Sequence, residues 1–241
     1  MNAQKMKWSG LLVVLGLSSA LVSCNNGGDG SENQNPDEGI FSTNLSALNA
    51  TIAGETSGQA IIRIRDGKLD VYLGALGTPA SIAHAQHIHL GGECPTEASD
   101  ANGEGFVDVA EGLPAYGPIL VNLDTDLSSF AAAADTYPVA NGEGAYVYKE
   151  SADFSGFLTD LRRTDENADD AIATLAPTDA FAPGTRVIVV HGVGAAANLP
   201  DTVATIADLP RESTLPIACG KIKRVSAEEE AALEAILDAA E

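Results

Sequence analysis

The sequence predicts an all-β fold, an antiparallel β-sandwich or barrel with a C-terminal helix. Three observations predict it. Two runs with strand periodicity flank an Asp-Gly turn. Further strand-length apolar runs follow at short intervals, punctuated by Gly and Pro. The tail then changes to Ala, Leu and Glu after a helix-start signal. Many short alternating strands joined by turns indicate a sandwich or barrel.

The first elements precede the domain. Lys5 and Lys7 form a positive start, and residues 10–22, GLLVVLGLSSALV, form an apolar run. That run is short for a bilayer span, which takes about 20 residues, so residues 1–23 read as a signal peptide. The segment ends Leu21-Val22-Ser23-Cys24, which resembles the bacterial lipobox and implies lipidation of Cys24. Asn25, not Asp, follows the cysteine. The expected location is therefore a bacterial cell envelope, on the outer membrane, with the membrane as partner through the lipid anchor. Residues 24–40 form a lipidated, flexible tether, because NNGGDGSENQNPDEG contains no large apolar side chain to offset chain entropy.

The β domain is expected over residues 41–224. Ala60, Ile62 and Ile64 share one strand face and Arg63 and Arg65 the other. Leu69, Val71, Leu73 and Ala75 repeat the pattern after Asp66-Gly67, a pair suited to a two-residue hairpin turn. Other strands are expected at 43–51, 85–90, 118–123, 144–149, 186–191 and 217–223. Residues 153–180 are expected to hold one or two short helices. Over 225–241 a helix is expected, because Ser226 and Glu229 stand at capping-box spacing and Leu233, Ile236 and Leu237 make a narrow stripe.

Composition bounds the function. Lys+Arg number 13 against 34 Asp+Glu, a net charge of −21 in 241 residues, which argues against a nucleic-acid partner. Aromatics are 5%, so small and β-branched side chains must fill the core.

The four histidines carry the chemistry. His84, His87 and His89 lie in one run, HAQHIHL, and His191 ends another, RVIVVH. Strand side chains alternate, so His87 and His89 point one way and His84 the other. Two imidazoles on one face, with a third from a neighbouring strand, make a three-nitrogen set suited to copper or zinc. The other reading is four polar strand residues with hydrogen-bond partners. With Cys24 acylated, Cys94 and Cys219 remain, and an exported chain favours their pairing. Such a bridge closes a loop of over 100 residues and stabilises by about 4–5 kcal/mol on chain-entropy grounds. Asp100–Gly105 and Asn141–Gly144 resemble calcium loops in composition. No bidentate glutamate is expected at the spacing such a loop needs, so both read as turns. Gly192-Val193-Gly194 lacks a βαβ context.

The run His84-Ala85-Gln86-His87-Ile88-His89, with Cys94 after it, resembles the copper–zinc superoxide dismutase family, especially its bacterial periplasmic branch. Ile188–Gly192 and Ala218–Lys223 resemble two later stretches of that family. The resemblance implies a Greek-key β-sandwich. It implies copper ligands at His87, His89 and His191, a bracing second-shell role for His84, and a Cys94–Cys219 disulfide. It departs from the family in three ways. No histidine lies between Cys94 and His191, so the bridging and further zinc histidines have no counterpart. Gly112 stands at the zinc aspartate's place, and Pro216 at the active-site arginine's, with Arg211 nearby. Zinc is thus not expected at a family-type site. The strand around His87 and His89, together with Leu120–Leu123, also resembles the CHRD domain. The function expected is an envelope lipoprotein with a superoxide dismutase-like domain. It binds copper through three histidines, with weak or no dismutation, and with superoxide or a copper donor as partner. The alternatives are a functional copper-only superoxide dismutase, with copper as the catalytic metal, and a non-catalytic CHRD-like module. Lys221, Lys223 and Arg224 are the cations that would have to offset the chain's charge for an anionic substrate.

Overall fold

The computed structural model describes residues 35–127, 135–163, 172–206 and 209–239. The signal segment, Cys24 and most of the tether lie outside them. In chain order the elements are β1 (Gly39–Ala47), α1 (Ala50–Ala53), β2 (Ser57–Arg65), β3 (Lys68–Leu76), β4 (Gln86–His89), α2 (Val109–Tyr116) and β5 (Ile119–Asn122). There follow β6 (Tyr146–Asp153), α3 (Phe154–Leu161), β7 (Val187–His191), α4 (Arg211–Thr214), β8 (Pro216–Lys221), β9 (Lys223–Arg224) and α5 (Ala227–Ala239).

All named strand pairs are antiparallel, in the order β5-β4-β7-β8-β1-β2-β3-β6, with β9 on β1. β1 lies inside that path and joins its two halves. Its residues 39–45 pair with β2, while Ser46 and Ala47 pair with Cys219 and Ala218 of β8. It therefore turns a corner between two layers, and the core fills the space between them. Ile62, Ile64, Val71 and Leu73 come from one layer, and Ile88, Leu120, Ile188, Val190 and Ile217 from the other. β7 lies beside β4 and not beside β6, which is a Greek-key return. β5 and β6 end the path, so the antiparallel β structure is an open half-barrel with a C-terminal helix.

The hairpin forms as its sequence dictates. Asp66 and Gly67 have φ of 53° and 75°, the paired positive values of the favoured hairpin turn. Pairing then runs from Arg65↔Lys68 to Ser57↔Leu76 with no shift. β1 lies earlier than the strand expected at 43–51. Asn49 adopts a left-handed φ of 53°, and α1 follows as a single turn. α3 falls within the connection expected to hold short helices. Asp153 caps it through Gly156 N–H, and Phe157 and Leu161 enter the core.

α5 covers the outer face of the β1–β2–β3 layer. That face carries Ile40 and Ile61, which pack on Leu233 and Leu237. Arg63 reaches Asp238 at 3.1 Å, and Arg65 pairs with Glu230 and Glu234. The capping box forms: Glu229 Oε2 accepts from Ser226 N–H at 3.0 Å and from its hydroxyl at 2.8 Å. Of the three-residue stripe, Ile236 stays partly exposed, because α5 presents only a narrow apolar edge.

Candidate metal centre

Strand register brings the histidines together. β4 and β7 pair with His87 opposite Val189 and His89 opposite Val187. On β7, Val187, Val189 and His191 alternate onto the same face as His87 and His89. A register shift between Val190 and His191 sits at the strand end, where His191 N–H donates to Ala85 O at 2.8 Å. The ring centroids of His87 and His191 are 5.2 Å apart, those of His87 and His89 5.7 Å, and those of His89 and His191 6.0 Å. One nitrogen from each ring lies within 4.8 Å of the other two.

Each ring has its far nitrogen engaged. His89 Nδ1–H donates to Gly117 O at 2.8 Å, and His191 Nδ1–H donates to Thr214 O at 2.7 Å. Gly117 has φ of 70°, a conformation that glycine adopts without the Cβ penalty. Tyr137 fixes His87. Its hydroxyl donates to Asn122 Oδ1 at 3.1 Å, so toward His87 it acts as acceptor for Nε2–H, at 2.9 Å. A neutral imidazole carries one proton. These three bonds therefore leave lone pairs on His87 Nδ1, His89 Nε2 and His191 Nε2. Those are the three ring nitrogens that are buried with no hydrogen-bond partner.

The rings are 7%, 3% and 5% exposed for His87, His89 and His191. Burial first, then the neighbouring imidazoles, holds His87 well below the usual histidine range. Burial first also takes His89 down to about 3 and His191 to about 4. All three are neutral bases at neutral pH. A buried acceptor without a donor costs about 1–3 kcal/mol, and three converge here. A cation that accepts three lone pairs removes that cost, so the residues present fit a metal ion.

His84 stands outside the group. It is fully buried, with Nδ1 at 3.0 Å from His191 O and Nε2 at 2.9 Å from Pro79 O. Its ring stacks on Tyr146 with centroids 5.7 Å apart. It thus braces the backbone of His191.

A disulfide clamps the cover of the site. Cys94 and Cys219 are bonded, with a Cα–Cα distance of 5.8 Å and a separation of 125 residues. Cys219 is opposite Val189, next to His87's row, and Cys94 lies in the connection from β4 to β5. That connection also carries Tyr116, whose ring is 4.5 Å from that of His89. Cys94, Cys219, Tyr116, Val187 and Val189 pack together as an apolar patch over this face.

Cations are engaged elsewhere. Lys221 pairs with Glu93 at 2.6 Å. Arg224 bonds the carbonyls of Glu38 and Asn35 and lies over the Phe41 ring. Arg211 pairs with Asp201 at 2.7 Å, and Pro216 stands opposite His191. Sequence reasoning missed Tyr137 and Asn122. Tyr137 is 50 residues from its histidine and in no motif, so only the fold reveals it.

No family model and no curated protein matches the chain. Among solved structures, a double mutant of a SOD-like protein from Bacillus subtilis aligns at 14% identity and a TM-score of 0.35. The alignment covers 75% of this chain and 95% of that one.

Proposed function

We propose that this is a copper-binding, superoxide dismutase-like lipoprotein of a bacterial cell envelope, with weak or no dismutase activity. The observation that carries the reading is the convergence of three unpartnered, buried imidazole nitrogens. Three neutral nitrogens with no carboxylate or thiolate among them suit copper in either oxidation state. Bound copper supplies one-electron exchange.

The chain's own residues do the rest. His87 Nδ1, His89 Nε2 and His191 Nε2 hold the ion. Tyr137, Gly117 and Thr214 keep the protons on the opposite nitrogens, so the lone pairs face inward. The apolar patch and the disulfide exclude water. These features favour retention of the metal over rapid turnover. The rings are nearly sealed, the chain carries −21, and among the described residues the three imidazoles bond Tyr137, Gly117 and Thr214, not a lysine or arginine. An anionic substrate gains no steering from such a surface.

Metal analysis of mature protein exported under copper-replete conditions tests the reading. About one copper per chain is expected from a single three-nitrogen site, with loss on replacing His87 and His89 together. Absence of copper from the wild type overturns it and leaves a metal-free module. A superoxide-decay assay with and without chelator then decides activity. Rates near background are expected, and a fast chelator-sensitive decay would establish the copper-only enzyme.

A further inference from the structure

The connection from β4 to β5 holds a second group of ligand atoms, remote in chemistry from the histidines. One carboxylate oxygen each from Glu104, Asp108 and Glu111 lies within 4.8 Å of the other two. Oxygens on opposite sides of a calcium ion, bonded at 2.3–2.6 Å, are about 4.6–5.2 Å apart, so the cluster has the span of a calcium shell. Two of the carboxylates have structural work. Asp108 accepts from Ala110, Glu111 and Ala204 N–H and caps α2. Glu111 accepts from Ala101, Asn102 and Asp108 N–H. Glu104 has none: both its oxygens are sealed from solvent with no hydrogen-bond partner, beside two other carboxylates. Such an arrangement is costly unless a cation is shared among them.

Sequence register points independently to the same ion. Counted from Asp100, the residues at positions 1, 3, 5, 6, 9 and 12 are Asp100, Asn102, Glu104, Gly105, Asp108 and Glu111. This is the twelve-residue calcium-loop order: oxygen ligands at 1, 3, 5 and 9, a carbonyl at 7, glycine at the sharp turn, and glutamate at 12. It departs only in having Glu where Asp or Asn usually stands at position 5. Gly105 has the positive φ, 91°, of that turn. The loop thus runs past the turn at 100–105 to Glu111, which stands at the spacing where no glutamate was expected.

We propose that residues 100–111 bind one calcium ion, with Glu104, Asp108 and Glu111 as carboxylate ligands and Asp100, Asn102 and the Phe106 carbonyl completing the shell. A carboxylate oxygen has two lone pairs, so the N–H bonds to Asp108 and Glu111 leave acceptor capacity for the ion. The site does not depend on the histidines.

The test uses the mature chain with its disulfide intact and copper removed. Calorimetric titration with calcium chloride is expected to give about one site, with Kd on the order of 10⁻⁴–10⁻³ M as in extracellular modules. Calcium should raise Tm by a few degrees, and magnesium by less. Glu104→Gln and Glu111→Gln should each abolish the heat and the rise. Glu104→Gln should melt no lower than the wild type without calcium, since it relieves repulsion, so its loss of response cannot be ascribed to unfolding. Replacing His87 and His89 by Ala should leave the calcium response unchanged, even if the copper reading fails. No heat and no change in Tm at about 10 mM calcium, well above that Kd, would overturn the proposal. So would an equal response to magnesium, or an undiminished response in Glu104→Gln.

Discussion

Tyr137→Phe removes one oxygen and tests how the site is built. The phenol hydroxyl is held by Asn122 Oδ1 and receives the Nε2 proton of His87. Without it, the buried Nε2–H of His87 loses its partner, at about 1–3 kcal/mol. Partial relaxation brings the expected loss of stability to about 2 kcal/mol. For a domain of this size that lowers Tm by about 4–8 °C. The metal site should suffer separately. His87 loses the contact that keeps its proton on Nε2, so part of the population moves it to Nδ1 and withdraws that lone pair. Copper affinity is expected to fall about 10–100-fold, the range for loss of such an outer partner. Competition against a copper chelator reads the affinity. Nitrogen NMR of the metal-free protein reads the tautomer, which should be Nε2–H in the wild type and mixed in the variant. Unchanged affinity together with an unchanged tautomer would refute the reasoning.

Other perturbations probe the surrounding structure. His191→Ala should weaken copper strongly, whereas His84→Ala, which removes a brace and no lone pair in the group, should weaken it less; equal chelator titrations would contradict the arrangement. Replacing Cys94 and Cys219 together by Ala should cost up to about 4–5 kcal/mol in urea unfolding, and an unchanged midpoint would show that the clamp is dispensable. In the metal-free protein the histidine pKa values are depressed by folding, so their contribution is complete above about pH 6.5 and is lost as pH falls toward 3. By pH 4, His191 alone removes on the order of 3 kcal/mol. Denaturation midpoints measured from pH 7 to pH 4 should fall accordingly, and a flat profile in His87→Ala/His89→Ala/His191→Ala would assign the fall to these rings.

The readable parts of the sequence are those in which local chemistry decides the structure. Asp66-Gly67 specifies a turn that few other pairs adopt, and the flanking alternation sets register. His87 and His89 are two residues apart on one strand, so their shared face follows from strand geometry alone. His191 is different: its place beside them depends on which strands pair, and only the resemblance to a known family supplied that. β1 lies at 39–47 and not at 43–51, because the chain leaves the strand through a left-handed Asn49 that apolar periodicity does not report. α2 carries a local signal, Asp108 and Glu111 at capping-box spacing, but Pro114 lies inside it and its apolar pattern is short. Tyr137 and Asn122 meet His87 only through the fold, and no local signal marks them.

The most direct test of the proposed copper site is diffraction from crystals of the copper-loaded chain at the copper absorption edge. The account predicts one anomalous peak about 2 Å from each of His87 Nδ1, His89 Nε2 and His191 Nε2, the usual length of a metal–imidazole bond. A peak located elsewhere, or one coordinated by fewer than two of these rings, would contradict it.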